Sequence, residues 1–424
     1  MQVLLDKGLA YYDFATAEET KAERELAERE KRAYVSSRRF MAETAEQKAK
    51  FEAEGRTAVV RLKMPREGYC EFTDLIRGPM KFAWAEEQDH VIQRSNGTCL
   101  YSLASVVDDR DMRITHVIRA EEHLSNTPRQ IFIARGLGIE PPQFAHLPFV
   151  AEPGSRNKLS KRKIAQYLKN PDFKRVYEHG RRIADRLGLQ VSDETFNPVI
   201  VDFYEQVGYL PDAIVNYLLL LGWSLDDKTE FFTRDEMFQH FSLERVVKSA
   251  ASFDPAKLSA FQEHYMRQLP IEQKVAMVLP YLERAGFHPV PKTVEQIVIA
   301  ADDRIKTAGD ILDYVDFFVA DEDLTYDDKA FEKRITKPPQ AIALLRKFRD
   351  RLAQAEAFDA GSLDKLMHQF VEDEGIKIGE IIHAVRVAVT GKAVGFGLFD
   401  ALAILGQERC LKRIDQALRR AEGR

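Results

Sequence analysis

The chain has 424 residues, enough for two to four domains with substantial cores. Charged residues make up 30% and hydrophobic ones 45%, an ordinary soluble composition, and no stretch approaches the ~20 unbroken apolar residues that cross a bilayer. A net charge of −5 argues against indiscriminate nucleic-acid binding but leaves room for a local basic face. Three widely separated cysteines (Cys70, Cys99, Cys410) exclude a disulfide framework and a Cys-x-x-Cys zinc site and fit a reducing cytosol. The opening MQVLLDKGLAYYDF carries acids and tyrosines where a signal peptide has a basic and then an apolar run.

Residues 17–54 alternate acids, bases and alanines and end at Gly55, which predicts exposed helices. TAVVRLKM (57–64), YCEFTDLIRG (69–78) and MKFAWA (80–85) read as strands separated by turn residues. GTCLYSLASVVDD (97–109) and ITHVIRAEEH (114–123) alternate in polarity and read as further strands. A helix is predicted to start at Asn126-Thr127-Pro128 and run to Gly138, followed by the short strand FAHLPFV (144–150). That strand–helix–strand spacing is one βαβ unit of a parallel sheet. Beyond residue 163 helical periodicity dominates. The apolar run IVNYLLLLGW (214–223) is too short to span a membrane and reads as a buried helix.

The eight residues RNKLSKRK (156–163) hold five cations and one serine after a Pro-Gly break. Two readings are open: a solvated turn, or a mobile loop carrying a lysine to a polyphosphate. Lys158 and Lys161 flank Ser160, and Arg162 follows. Ammonium charges suit a polyphosphate, a serine hydroxyl can complete the cradle, and Gly154 gives the loop freedom to move. The Gly-x-x-x-x-Gly-Lys-Ser/Thr pattern of a P-loop is absent.

Arg119 ends an apolar strand and precedes Glu121, Glu122 and His123. Ligands of parallel sheets sit beyond the carboxyl ends of the strands, where a guanidinium can fork onto a carboxylate. The alternative is a structural ion pair of Arg119 with Glu121 or Asp109. His116 and His123 have no obvious third metal ligand and read as surface or nucleotide contacts.

At this point the chain resembles a known family. YSLASVVDD, THVIRAEEHLSNTPRQI, HLPF, KLSKR, GYLPDAIVNYLLLLGW and SLERVVKSAASFDPAKL occur in this order in bacterial-type glutamyl-tRNA synthetases, which are class I aminoacyl-tRNA synthetases. The resemblance runs from LLDKGLAYYDFAT to GLFDALAILGQERCLKRI. It implies an α/β fold, a partial Rossmann-type catalytic domain with an inserted α+β acceptor-stem domain, followed by all-α stem-contact and anticodon-binding domains. The implied parts are residues 1–96 for the acceptor stem and 97–157 for the second half of the Rossmann-type domain. Residues 158–255 would hold the signature loop, inserted helices and stem-contact domain, and 256–335 and 336–424 two helical anticodon-binding subdomains.

The resemblance also implies an activity: ATP-dependent activation of L-glutamate, then transfer to the terminal adenosine of tRNA-Glu. Tyr101 and Arg119 match the residues that hold glutamate, and Lys158, Ser160, Lys161 and Arg162 match the signature loop that closes on ATP. Lys161 would meet the leaving pyrophosphate, while the segment Glu121 to His123, with Glu122 and His123, and the backbone near His146–Leu147 would lie beside the nucleotide. Arg386, in HAVRVAVTG, matches a region that contacts the anticodon. ATP with its Mg²⁺ is implied, no zinc is expected because AYYDFAT lacks the cysteines some relatives use, and the implied state is a cytoplasmic monomer.

Two departures stand out. No His-x-Gly-His sequence is present, so the chain is expected to begin past the first half of the nucleotide fold. Several preorganised donors would then be missing, each typically worth ~2.7–4 kcal/mol, and this chain alone would activate glutamate negligibly. The strands at 97–118 and 144–150 would lose sheet neighbours and leave an apolar edge. A record shortened by a misplaced start codon, a split enzyme, or a non-catalytic tRNA-binding relative would each account for it. Residues 163–201 are extra relative to the shorter family linker and read as inserted helices near the active-site mouth. A glutaminyl-tRNA synthetase is the nearest alternative, disfavoured because residues 336–424 read as helices rather than β-barrel.

Overall fold

The computed structural model describes residues 1–423. The front part opens with α1 (Gln2–Asp6), β1 (Ala10–Asp13), α2 (Ala17–Arg29), β2 (Met41–Ala42), α3 (Ala45–Ala53) and β3 (Val59–Leu62). It continues with β4 (Tyr69–Asp74), β5 (Gly78–Ala83) and β6 (Val91–Gln93). As the charge pattern predicts, α2 and α3 are surface helices. Each starts at a capping box, Thr16 with Glu19 and Thr44 with Gln47. An antiparallel sheet of order β2-β1-β3-β6 follows, with Tyr11 and Leu62 fully buried. Buried Asp89 pins it by accepting from Tyr11 Oη (3.0 Å), Arg38 Nε (2.7 Å) and Met64 N (3.0 Å).

The second sheet contains the predicted βαβ unit. β7 (His116–Ala120), α5 (Thr127–Leu137) and β8 (Gln143–Leu147) follow α4 (Tyr101–Asp111). β7 and β8 are parallel from His116 opposite Gln143 to Ala120 opposite Leu147. α5 has Pro128 in its first turn and ends at Gly138, whose φ of +74° terminates the helix. The sheet order is β5-β4-β8-β7, so two of its strands come from before residue 96.

Two strand expectations need correction. Residues 101–111 form helix α4, not a strand, because Leu103 and Val106 are three apart and both bury a face against α5. The alternation read over YSLASVV fits that helical spacing equally well. The apolar edge is confined to β7, where Ile118 is half exposed, whereas β8 is paired on both sides by β4 and β7.

The rest is helical apart from two short strands, β9 (Val150–Ala151) and β10 (Ala251–Ser252), which pair in parallel. The first helices are α6 (Ile164–Tyr167), α7 (Pro171–Arg186), α8 (Val201–Val207), α9 (Pro211–Leu219) and α10 (Arg234–His240). Next come α11 (Pro255–Gln268), α12 (Ile271–Arg284), α13 (Pro291–Ala301), α14 (Asp328–Phe331) and α15 (Ala341–Ala353). α16 (Ala360–Glu374), α17 (Ile382–Thr390), α18 (Leu398–Leu405) and α19 (Gln407–Ala421) complete the chain. One large apolar cluster runs from Ile164 to Leu418, and Trp223, Phe232 and Met237 join Ile76 and Ala145 to seat the helical half on the second sheet. Among the described residues no helix is long and apolar enough to cross a membrane.

Of the extra residues 163–201, α6 lies against the basic loop, near the expected mouth of the site. α7 buries Phe173, Val176 and Ile183 against α8, α11 and the segment 308–317, inside the main helical core. Gly180 permits the close approach: a Cβ there would stand 2.3 Å from Phe203.

Candidate functional site

The site forms where β7 and β8 end side by side. Their register sets Arg119 opposite His146 and Ala120 opposite Leu147 at the carboxyl edge of the sheet. After Ala120 a 3₁₀ turn (Glu121–Asn126) presents Glu122 and His123, which approach each other to 3.7 Å. Tyr101 begins α4 and is 60% exposed, with its phenol near enough to Arg119 to act on its charge.

Arg119 is half-buried and makes neither of the ion pairs considered from the sequence. Its Nε donates to His146 Nε2 at 3.1 Å, and its Nη2 to Thr127 Oγ1 and Gln130 Oε1, both at 2.9 Å. Among the described residues no carboxylate lies within ion-pair distance of it. Burial pulls its pKa below the ordinary arginine value, opposed by Tyr101 and more distant Asp109. A half-buried guanidinium whose Nε and Nη2 are held by neutral partners, with no hydrogen bond to Nη1 from the described residues, is ready for an anionic ligand.

The basic loop is anchored at both ends and free in the middle. Leu159 N donates to Val150 O at 2.9 Å and Glu152 N donates to Asn157 O at 2.7 Å, closing a hairpin with Gly154 at φ +69°. Gly154 N also donates to Ser252 Oγ at 3.1 Å, tying the turn to β10. Ser160 N donates to Tyr167 Oη at 3.0 Å, so α6 of the extra segment holds the signature serine. Ser160 Oγ caps the short 3₁₀ turn Lys161–Lys163 by accepting from Arg162 N.

Lys158 ion-pairs with Glu122 and Lys163 with buried Glu152, and each lysine lowers its partner's carboxyl pKa. Lys161 and Arg162 are exposed and make no ion pair among the described residues. The Lys158–Glu122 contact brings the loop to the strand ends that carry Arg119. Thus the structure gathers Tyr101, Arg119, Glu122, His123, His146, Leu147 and the loop residues 158–162 at one edge.

The side chain of His146 is fully buried and points to Asp74 and Arg119, so only its backbone is left for the nucleotide contact expected of it, and its carbonyl already accepts from Arg77 Nε at 3.1 Å. Sequence reasoning missed Thr127 and Gln130 on α5, which accept from Arg119 directly, and Asp74 on β4, which reaches it through His146. No group of three or more His, Cys, Asp or Glu suited to a metal ion occurs among the described residues. A cavity of about 860 Å³ lies elsewhere, between α7, α11 and residues 304–313, and contains none of these side chains.

Arg386 sits far along the chain on α17, half-buried, with Nη1 donating to Phe396 O at 2.7 Å. Burial and then Arg304 depress its pKa, and burial, Arg334 and Arg386 depress that of neighbouring His383. The mutual repulsion marks a concentration of positive charge that only Arg386 signalled in the sequence.

Comparison with known proteins agrees with this layout. The family described as tRNA synthetases class I (E and Q), catalytic domain, matches residues 1–195 and 192–260, and the anticodon binding domain family matches residues 273–418. A glutamate–tRNA ligase of Moorella thermoacetica is 37% identical over 422 residues, covering 98% of this chain and 79% of that protein. Glutamate–tRNA ligase 1 of Syntrophomonas wolfei is 37% identical over 420 residues, covering 99% and 78%. A crystal structure of a glutamate tRNA ligase from Elizabethkingia meningosepticum, in complex with its amino acid, superposes with a TM-score of 0.76 at 26% identity, covering 98% of this chain and 80% of that one. The expected shortening of the nucleotide-binding fold finds no direct support in these matches, which run through the whole of the present chain. On sequence and fold together, the chain belongs to the class I tRNA synthetases of the E and Q group.

Proposed function

We propose that the protein is a glutamate–tRNA ligase: it joins L-glutamate to ATP as glutamyl-adenylate and passes the glutamyl group to the 3′-terminal adenosine of tRNA-Glu. The observation that carries this is the uncompensated Arg119, a half-buried cation at the strand ends within reach of Tyr101 and beside a loop with two unpaired cations. The relatives named glutamate–tRNA ligase, aligned over 98% or more of the chain, support the choice of amino acid and of tRNA.

In this reading Arg119 and Tyr101 hold a carboxylate of glutamate. Its α-carboxylate is already ionised, so attack on the α-phosphorus of ATP needs no general base. Catalysis is then positioning and charge stabilisation. Lys161 and Arg162, exposed and free of carboxylates, neutralise the phosphates as pyrophosphate leaves. Lys158 exchanges Glu122 for a phosphate when the loop closes, and Ser160 keeps the loop's turn. Glu122 and His123 border the nucleotide with the backbone of His146–Leu147. Mg²⁺ would come with the nucleotide and be held chiefly by its phosphates. Residues 1–96 receive the acceptor stem, and the cation concentration around Arg386 meets the anticodon. A cytoplasmic monomer fits this role.

The test is tRNA-dependent pyrophosphate exchange with glutamate, together with direct binding of glutamate and tRNA-Glu to the full chain. Glutamate-specific binding and exchange support the reading. Tight tRNA binding with neither glutamate binding nor adenylate formation would leave a tRNA-binding protein and refute the ligase assignment.

A further inference from the structure

Behind Arg119 lies a buried polar chain that the proposed reaction does not use directly. Asp74 ends β4 and is 1% exposed, His146 on β8 is 0% exposed, and Thr127 at the start of α5 is 0% exposed. His146 Nδ1 lies 2.6 Å from Asp74 Oδ2, and His146 Nε2 accepts from Arg119 Nε at 3.1 Å. Asp74 Oδ1 is fully engaged elsewhere: it accepts the backbone N–H of Arg77 (2.8 Å), Ile76 (3.0 Å) and His146 (3.2 Å).

These contacts dictate protonation. A carboxylate can only accept, so His146 must carry its hydrogen on Nδ1, leaving a lone pair on Nε2. An arginine Nε–H can only donate, so it requires that lone pair. The hydrogen bonds are mutually consistent in one arrangement alone: ionised Asp74, neutral Nδ1–H imidazole, donating Arg119. Burial depresses the imidazole pKa against the opposing pull of Asp74, which keeps the ring neutral at physiological pH. Asp74 itself stays ionised, because the backbone and His146 hydrogen bonds outweigh burial.

We propose that Asp74 and His146 are positioning residues that fix the rotation of the Arg119 guanidinium, so that Nη1 faces the strand-end cleft while Nε and Nη2 are held from behind. The proposal rests on Arg119 being the glutamate anchor. With Nε bound to His146 and Nη2 to Thr127 and Gln130, the plane of the fork is set before ligand arrives, which lowers the ordering cost of binding. A rigid imidazole serves here where a carboxylate would neutralise the cation and compete with the substrate.

Asp74→Asn separates this role from simple packing. The three backbone N–H groups require the amide oxygen at the Oδ1 position, so the NH₂ group must face His146 Nδ1. That position then has to accept, the hydrogen moves to Nε2, and Nε2–H meets Arg119 Nε–H, donor against donor. Shape and volume are unchanged.

The test uses the full chain labelled with isotopic nitrogen in histidine and arginine, the His146 signal being assigned by its loss in His146→Gln. In the wild type at neutral pH His146 is expected to bear hydrogen on Nδ1 only; an Nε2–H ring overturns the proposal whatever the variants do. In Asp74→Asn the tautomer is expected to invert, the Arg119 Nε–H to exchange faster with solvent, and the dissociation constant for glutamate to rise at least about tenfold. His146→Gln placed on Asp74→Asn supplies a carbonyl that accepts from Arg119, and is expected to restore part of the lost affinity. Inversion of the tautomer with glutamate affinity and Arg119 exchange unchanged overturns the proposal. If Arg119→Lys itself leaves glutamate affinity intact, the anchor reading fails instead, while the tautomer and exchange measurements still decide the relay.

Discussion

Replacing Arg119 by Lys keeps the charge and removes the fork. In the native site the guanidinium gives Nε to His146 and Nη2 to Thr127 and Gln130, which leaves Nη1 for the ligand. An ammonium has three donors on one point and a shorter reach, so it cannot serve the rear acceptors and a carboxylate together. At least one charge-assisted hydrogen bond to glutamate is then lost, worth about 1.5–3 kcal/mol, which predicts a fall in kcat/KM for glutamate of about 10- to 10²-fold. The KM for ATP should hardly move, since the phosphates are met by the loop. The assay is tRNA-dependent pyrophosphate exchange as a function of glutamate, with calorimetric glutamate binding and a melting curve on the same variant. A variant that melts like the wild type and retains kcat/KM for glutamate within about threefold would refute Arg119 as the anchor.

Lys161→Met removes a cation that makes no ion pair in the free chain; exchange should fall about 10²- to 10³-fold with glutamate binding unchanged, and an unimpaired exchange rate would exclude Lys161 from the phosphates. Gly180→Ala sets a gain of about 1 kcal/mol in helix propensity against about 1–3 kcal/mol for overpacking. With the new Cβ only 2.3 Å from a fully buried Phe203 ring, denaturant unfolding should show net destabilisation of up to about 2 kcal/mol, and a more stable variant would mean that α7 is loosely packed. Burial, then Arg129 and Arg61, pushes His90 down to about 4. Because that folded-state value lies below the unfolded one of about 6.5, the unfolded chain takes up the proton first, and stability is lost as the pH falls from about 6.5 toward 4. Between about pH 7 and about pH 5 this amounts to about 2 kcal/mol, which His90→Gln should spare; equal losses in both proteins would contradict it.

Local signals carried the reading furthest where local physics decides the structure. The capped, charge-patterned helices before Gly55, the start of α5 at Thr127-Pro128 and its stop at Gly138 depend on a few adjacent residues. The segment 101–111 failed because Leu103 and Val106 satisfy two periods at once, and only the presence of α5 beneath them selects the helix. Residues 163–201 form helices as read and α6 does hold the loop, but that the apolar face of α7 enters the main core was not visible in their amphipathicity.

The candidate site divides along the same line. The sequence by itself determined the chemical inventory: a guanidinium at a strand end, a lysine-rich loop behind a Pro-Gly break, and the ordered motifs that reveal the family. The tertiary structure alone decided charge pairing. Among the described residues it withheld every carboxylate from Arg119, set Lys158 on Glu122 while leaving Lys161 and Arg162 without an ion pair, and turned His146 inward to Asp74. Pairing of that kind depends on distances and burial between strands and loops remote in sequence, and electrostatic energy falls or rises with just those two quantities.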